Sequence, residues 1–293
     1  MRGIARLVFF LIALFPAAAR AEGEGFAAWL QELEREAVAS GIPESTVRNA
    51  LSGITFDESV IELDRKQPEK TITFSEYVSN VLSPPRIRKG REIMRSHKKL
   101  LREIESGYGV PASIIVALWG IESSFGSNSG DYGVLESLAT LAYEGRRAGF
   151  FRNELLEALR LINEERLDPY LLRGSWAGAM GQCQFMPSVF RRHAVDYDGD
   201  GRRDIWENEA DILASIASYL AAEGWQRGKK WGRETTASGA RGHAQPASLV
   251  QPDGPGGRSF LVYDNFRVLM RWNRSTYFAI SAGLLADKLV AGN

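Results

Sequence analysis

Glu122 stands in the run Ile114-Ile115-Val116-Ala117-Leu118-Trp119-Gly120-Ile121-Glu122-Ser123-Ser124-Phe125-Gly126. On a helix it shares a face with Trp119 at i−3, Leu118 at i−4 and Ile115 at i−7. A carboxyl group among large apolar side chains resists ionisation, so its pKa climbs toward the range a general acid needs near neutrality. A buried ion pair or a helix-end carboxylate is the non-catalytic explanation of the same glutamate.

A second constellation is Asp196-Tyr197-Asp198-Gly199-Asp200-Gly201-Arg202-Arg203-Asp204-Ile205-Trp206-Glu207. Oxygen ligands at positions 1, 3 and 5, glycine at 6 and glutamate at 12 match an EF-hand calcium loop. There is one such loop, and Arg203 occupies position 8, where regulatory loops usually carry an aliphatic residue. A structural ion is expected rather than a sensor. The small-residue run from Gly174 to Ser188 lets a backbone or a ligand approach closely, and Ser175 and Gln184 could hydrogen-bond a polyhydroxylated substrate, with a tight packing turn as the alternative. Cys183 with His193 suggests a thiol nucleophile, but nothing in the sequence orients the pair.

These groups need helices to hold them. Phe26, Trp29, Leu30, Leu33 and Ala37 recur at helical spacing, and Gly41-Ile42-Pro43 and Ser83-Pro84-Pro85 break residues 26–102 into several short helices, one carrying Tyr77. Further helices are expected at 111–125, 151–165, 211–224 and 273–289. Between Trp225 and Tyr263 the composition turns to Gly, Ser, Pro and basic residues, ending in Phe260-Leu261-Val262-Tyr263; a small loop-rich β element is expected, with a disordered linker as the alternative.

Arg2 and Arg6, the apolar run Leu7 to Phe15, Pro16 and Ala19-Arg20-Ala21 read as a signal peptide over 1–21, the mature chain starting near Glu22. The run is too short for a membrane span. Cys183 lies far from the junction, so lipid attachment is not expected. Lys+Arg 36 against Asp+Glu 36 removes the basic field that nucleic-acid binding needs. With one cysteine and three histidines there is no disulfide framework and no structural zinc set.

Taken together, Gly120-Ile121-Glu122-Ser123 to Gly126, Gly174-Ser175-Trp176-Ala177-Gly178-Ala179-Met180-Gly181 with Gln184 to Ser188, the aspartate loop and Trp272-Asn273-Arg274-Ser275 resemble the lytic murein transglycosylase B family from about Phe26 to Leu289. The resemblance implies a mainly α (α+β), lysozyme-like fold. Its divisions would be a helical lobe at 22–102 with the 273–289 helix nearby, a catalytic core with the calcium loop at 103–224, and a small β insertion at 225–272. It implies a periplasmic enzyme that cleaves the β-1,4 bond between N-acetylmuramic acid and N-acetylglucosamine of peptidoglycan and closes a 1,6-anhydro ring, with Glu122 as its single catalytic acid. A water-using muramidase and a non-catalytic, calcium-stabilised glycan-binding protein are the alternatives. By position, Tyr77, Ser175, Gln184, Tyr219 and Asn273 match substrate-binding residues, and Arg146 and Arg147 are candidates for peptide-stem carboxylates. Trp272 and Phe278 stand where some members carry tyrosines, so loss of phenolic hydrogen bonds is expected. For the ion, the resemblance favours Asp196, Asp198, Asp200, the Arg202 carbonyl and Asp211, whereas EF-hand spacing favours Glu207 as the closing ligand. The partner is the glycan strand; a monomer, open to recruitment by cell-wall assemblies, is expected.

Overall fold

The computed structural model describes residues 17–66, 72–144, 146–236 and 247–291, with side chains from Gly25 onward. Most of the signal-peptide reading therefore lies outside the described residues. Short helices dominate because Pro, Gly and capping residues interrupt the apolar periodicity every ten residues or so. The first six are α1 (Ala17–Ala39), α2 (Glu44–Leu51), α3 (Glu58–Arg65), α4 (Phe74–Val81), α5 (Pro84–Ser96) and α6 (Lys98–Tyr108). The α4 start carries a full capping box, in which Thr73 accepts from the Glu76 amide and the Glu76 carboxylate accepts from the Thr73 amide. Gly109, at φ 76°, closes α6 in a left-handed turn that an L side chain would resist.

Helix α7 (Ala112–Ser123) is the axis of the fold, with Ile114 to Gly120 buried on every side. It packs against α5, α6, α11 (Glu209–Ala222) and α13 (Thr276–Val290). A second group is α8 (Val134–Glu144), α9 (Ala148–Glu165) and α10 (Pro187–His193), in which α9 packs on both α8 and α10 and α10 reaches α11, and α12 (Asp264–Trp272) leads into α13. The N-terminal helices divide their allegiance: α1, α2 and α3 pack on α8 and α9, whereas α4, α5 and α6 pack among α7, α11 and α13. One continuous apolar cluster from Phe26 to Leu289 serves both sets. No single helix among the described residues is long and apolar enough to cross a membrane.

Two small sheets complete the architecture. Strands β1 (Tyr132–Gly133) and β2 (Arg173–Gly174) pair antiparallel, bringing the loop after α7 against the glycine-rich run. Strands β3 (Gly232–Thr235), β4 (Ser248–Val250) and β5 (Ser259–Val262) form an antiparallel sheet in the order β3-β5-β4. Thus the expected strand at Phe260 exists, flanked by two neighbours, and the described part of 225–263 is ordered. Residues 237–246 lie outside the description.

Element ends differ from expectation for local reasons. Helix α7 stops at Ser123 rather than Phe125 because Ser124 and Phe125 both adopt left-handed φ, 51° and 60°. The last helix begins at Thr276 rather than Asn273, since the Ser275 side chain accepts from the Phe278 amide and fixes the start. Helices α8, α10 and α12 were not anticipated.

Candidate active site

Glu122 occupies the penultimate position of α7, and Ile115, Leu118 and Trp119 around it are each at most 2% exposed. Burial pushes its carboxyl up to about 7 from 4.5, opposed only by a hydrogen bond from Trp272. That bond is short: Trp272 Nε1–H donates to Glu122 Oε1 at 2.5 Å. So the position where the sequence suggested lost phenolic hydrogen bonds supplies an indole donor instead. No neighbouring carboxylate among the described residues contributes to the ionisation of Glu122.

The backbone after Glu122 turns sharply. Two consecutive left-handed non-glycine residues are costly, at about 1–3 kcal/mol each, and are held by Asn128 N–H to Ser123 O (2.9 Å) and Gly126 N–H to Ser123 Oγ (3.0 Å). Phe125 folds back edge-on against Trp119, with ring centroids 5.8 Å apart. Gly120 leaves room for that ring; a Cβ there would overlap it. Arg86 holds the last turn from outside, donating from Nε to Gly120 O (3.1 Å) and from Nη1 to Asn80 O (2.8 Å) and Val81 O (2.9 Å) at the end of α4.

Trp272 gathers the aromatic residues. Tyr219 of α11 meets it edge-on at 4.9 Å and Phe185 lies at 5.4 Å, while His193 lies 5.0 Å from Tyr219. Burial pushes the Tyr219 hydroxyl up to about 12, and it donates to Arg271 O at 2.9 Å. Asn273 follows Trp272 at the end of α12. Gln184 precedes Phe185, with left-handed φ of 51° and its amide donating to Ser129 O (2.8 Å) and Gly181 O (2.9 Å). Ser175 Oγ accepts from the Ala179 amide at 3.1 Å. The glycine-rich run is tightly folded: Gly174 bridges Met180, Met180 bridges Phe185, and a Cβ on Gly174 would collide with the Ala179 carbonyl.

Glu122, Tyr219, Gln184 and Asn273 are thereby tied to Trp272 or its aromatic neighbours. Tyr77 belongs to an adjoining group, its ring 5.8 Å from Tyr277. Phe278, by contrast, is core at 3% exposure. Arg146 and Arg147 form a separate group on Asp64 of α3: Arg146 pairs at 2.6 Å, and Arg147 stands 3.9 Å from the same oxygen and over the Phe151 ring. Cys183 is fully buried, with its thiol pushed well up by burial and by the Glu122 charge, as suits an inert packing group rather than a nucleophile. Sequence reasoning missed Gln182, whose Oε1 accepts from Trp119 Nε1 at 2.8 Å and whose Nε2 donates to Trp206 O at 2.6 Å. Its position beside the glycine-rich run was the available signal.

In the aspartate loop, Asp196 accepts from the Gly199, Asp200 and Gly201 amides, winding the chain around its carboxylate. Asp196, Asp198 and Asp211 each bring an oxygen within 4.8 Å of the others. Asp211 is fully buried and accepts from the Tyr197 (2.7 Å) and Asp204 (2.8 Å) amides, whereas Glu207 is exposed. Burial, and then the Asp198 and Asp196 charges, raise the Asp211 carboxyl pKa. Converging hard oxygens of like charge, one of them buried, fit a calcium ion. Arg203 turns inward from position 8, pairs with Glu165 of α9 and covers the Phe190 ring.

The chain matches a family model described as the transglycosylase SLT domain over residues 25–246 and 234–287. It is 30% identical over 283 residues to the membrane-bound lytic murein transglycosylase B of Escherichia coli (strain K12), across 84% of this chain and 78% of that protein. The crystal structure of SltB3 from Pseudomonas aeruginosa in complex with NAG-NAM-pentapeptide shares 39% identity at a TM-score of 0.86, covering 92% of this chain and 81% of that one. The Escherichia coli lytic transglycosylase SLT35 in complex with calcium follows at 29% identity and 0.78, covering 89% and 92%. With fold and sequence agreeing over nearly all of the chain beyond residue 24, the chain belongs to the SLT-domain transglycosylases and is a lytic transglycosylase of peptidoglycan.

Proposed function

We propose that Glu122 carries the reaction alone, first as acid and then as base. Protonated, it gives its proton to the glycosidic oxygen between N-acetylmuramic acid and N-acetylglucosamine as the C1–O bond breaks. The substrate's own 2-acetamido oxygen bonds to C1 in the interval. The Glu122 carboxylate then takes the proton from the C6 hydroxyl, whose oxygen displaces the acetamido group from C1 and closes the 1,6-anhydro ring. The proton is back on Glu122 and no water is consumed. The observation that supports this is a half-buried carboxyl on an apolar helix face, held protonated to about 7 with no second carboxylate acting on it among the described residues and fixed by one indole donor. Ordinary retaining and inverting glycosidases use two carboxyl groups.

Around it, the Ser175 hydroxyl hydrogen, the Gln184 side-chain oxygen, the Tyr219 oxygen lone pairs and the Asn273 amide bind sugar hydroxyl and acetamido groups, with Tyr77 contributing from α4. Arg146 and Arg147 meet stem carboxylates only by releasing Asp64. Asp196, Asp198, Asp200, the Arg202 carbonyl and Asp211 hold a structural calcium, which supplies the positive charge that lets these carboxylates share a site. The enzyme works in the periplasm as a monomer, exported by residues 1–21. Its working parts are the helical segment 22–102 with the last helix, the core 103–224 and the insertion 225–272.

Mass spectrometry of digested sacculi tests the reading. The parent releases muropeptides one water lighter than hydrolase products, and Glu122→Gln releases none while still binding sacculi. Water-containing products would make the enzyme a muramidase, and near-parent turnover by Glu122→Gln would remove the single-glutamate mechanism.

A further inference from the structure

Charge is unevenly spread over this electroneutral chain: between Pro84 and Tyr108 there are eight arginines and lysines against three glutamates. Arg86 and Arg91 donate to backbone carbonyls, and Lys89 and Lys99 stand near Glu92 and Glu103. Arg88, Arg95, Lys98 and Arg102 are exposed and have no hydrogen-bond or ion-pair partner among the described residues. Elsewhere Arg152, Arg191, Arg203 and Arg258 all pair with glutamates.

Three of the four free cations converge. Arg95 at the end of α5 and Lys98 and Arg102, one turn apart on α6, line a cavity of about 410 Å³ with Met94 and Leu101. Glu105, also in its wall, is engaged by the Ala112 amide at 3.1 Å. Both edges are pinned, since His97 at the α5–α6 junction bonds Glu209 of α11 at 2.5 Å while Glu105 holds the start of α7. Ala112 and Glu122 lie ten residues apart on one helix, so at 1.5 Å per residue the cavity is about 15 Å from the catalytic acid.

We propose that this cavity is a second docking site for peptidoglycan, taking a carboxylate of a stem peptide away from the bond being cut. The inference rests on peptidoglycan being the substrate. Guanidinium forks match planar carboxylates in pairs, and the concave wall with an apolar floor suits a short peptide end better than a flat lipid surface. Held there, the polymer stays on the enzyme between cleavages.

The test uses the full chain carrying Glu122→Gln, which stops turnover, with and without Arg95→Gln, Lys98→Gln and Arg102→Gln together. Binding is measured to intact sacculi, to sacculi stripped of stems by an amidase, and to phosphatidylglycerol vesicles. Removing three exposed charge contacts is expected to weaken binding to intact sacculi about tenfold, with unchanged melting temperature. Stem removal should weaken the Glu122→Gln parent about tenfold more than it weakens the quadruple variant, whose remaining dependence on stems is that of contacts outside the cavity. Equal binding of the two proteins to intact sacculi overturns the proposal, and a loss confined to vesicles reassigns the cavity to lipid phosphate. Failure of Glu122→Gln itself to bind any sacculi would instead strike at the peptidoglycan reading.

Discussion

Replacing Glu122 by Gln should stabilise the protein at neutral pH and leave it almost unchanged in acid. Glu122 holds its proton to about 7 in the folded chain against 4.5 as an ordinary glutamate. Between those values the folded state binds more protons than the unfolded state, so its stability falls as pH rises through the window. Below the window both states are protonated and nothing is lost. At ~1.4 kcal/mol per pH decade, the penalty is about 1 kcal/mol near pH 5, about 3 kcal/mol near pH 7 and nearly level above pH 8. Glutamine escapes it, keeps the shape and still offers an oxygen to the Trp272 N–H. For a chain of this size the gain corresponds to roughly 5–10 °C in Tm. Paired melts of parent and variant from about pH 4 to 9 in matched buffers isolate the effect, because the other titrating groups are common to both. Beside them, kcat/KM of the parent should fall with an apparent pKa of about 7, as the acid ionises. A difference in Tm that stays flat with pH, together with no alkaline limb, would refute the assignment of Glu122 as a desolvated acid.

Trp272→Phe removes the donor that favours the Glu122 carboxylate, so the alkaline limb should move to higher pH while kcat falls; an unmoved pH profile would deny the hydrogen bond a role. Calcium should raise the melting temperature of the parent, and Asp198→Ala with Asp200→Ala should abolish that response, as calorimetry with and without a chelator would report. Gly174→Ala should cost about 1–3 kcal/mol in denaturant titration, because its Cβ meets the Ala179 carbonyl and cannot be absorbed by a side-chain rotation.

Much of the site is written in short-range pattern. The apolar face of Glu122 follows from i−3, i−4 and i−7 spacing, and the turn around Asp196 from alternating aspartates and glycines, since both depend on neighbours within a few residues. What escaped depends on distant partners. Nothing near Glu122 announces that Trp272, 150 residues later, will donate to it. Spacing within the loop pointed to Glu207 and only the family resemblance to Asp211, which faces Asp196 and Asp198 because it lies on the buried side of α11, a tertiary outcome. Arg203 looked anomalous at position 8 until Glu165 and Phe190 were seen beneath it. Helix α8 lacked a clear single-face stripe because most of its residues are buried between α3 and α9, and α10 escaped because its seven residues bury only Pro187, Phe190 and His193, too few to register as a periodic pattern.

Arg86 has a mechanical consequence. One planar guanidinium grips carbonyls at the end of α4 and in the last turn of α7. The distance between the helix bearing Tyr77 and the helix end bearing Glu122 is thus gauged by the reach of a rigid fork. Lysine could grip from a single point but could not hold the angle between the two ends, because its donors radiate from one atom. Tolerance at the catalytic end of α7 is therefore set by a side chain that stands outside the chemistry, acting as a strut whose length and stiffness are built into its covalent structure.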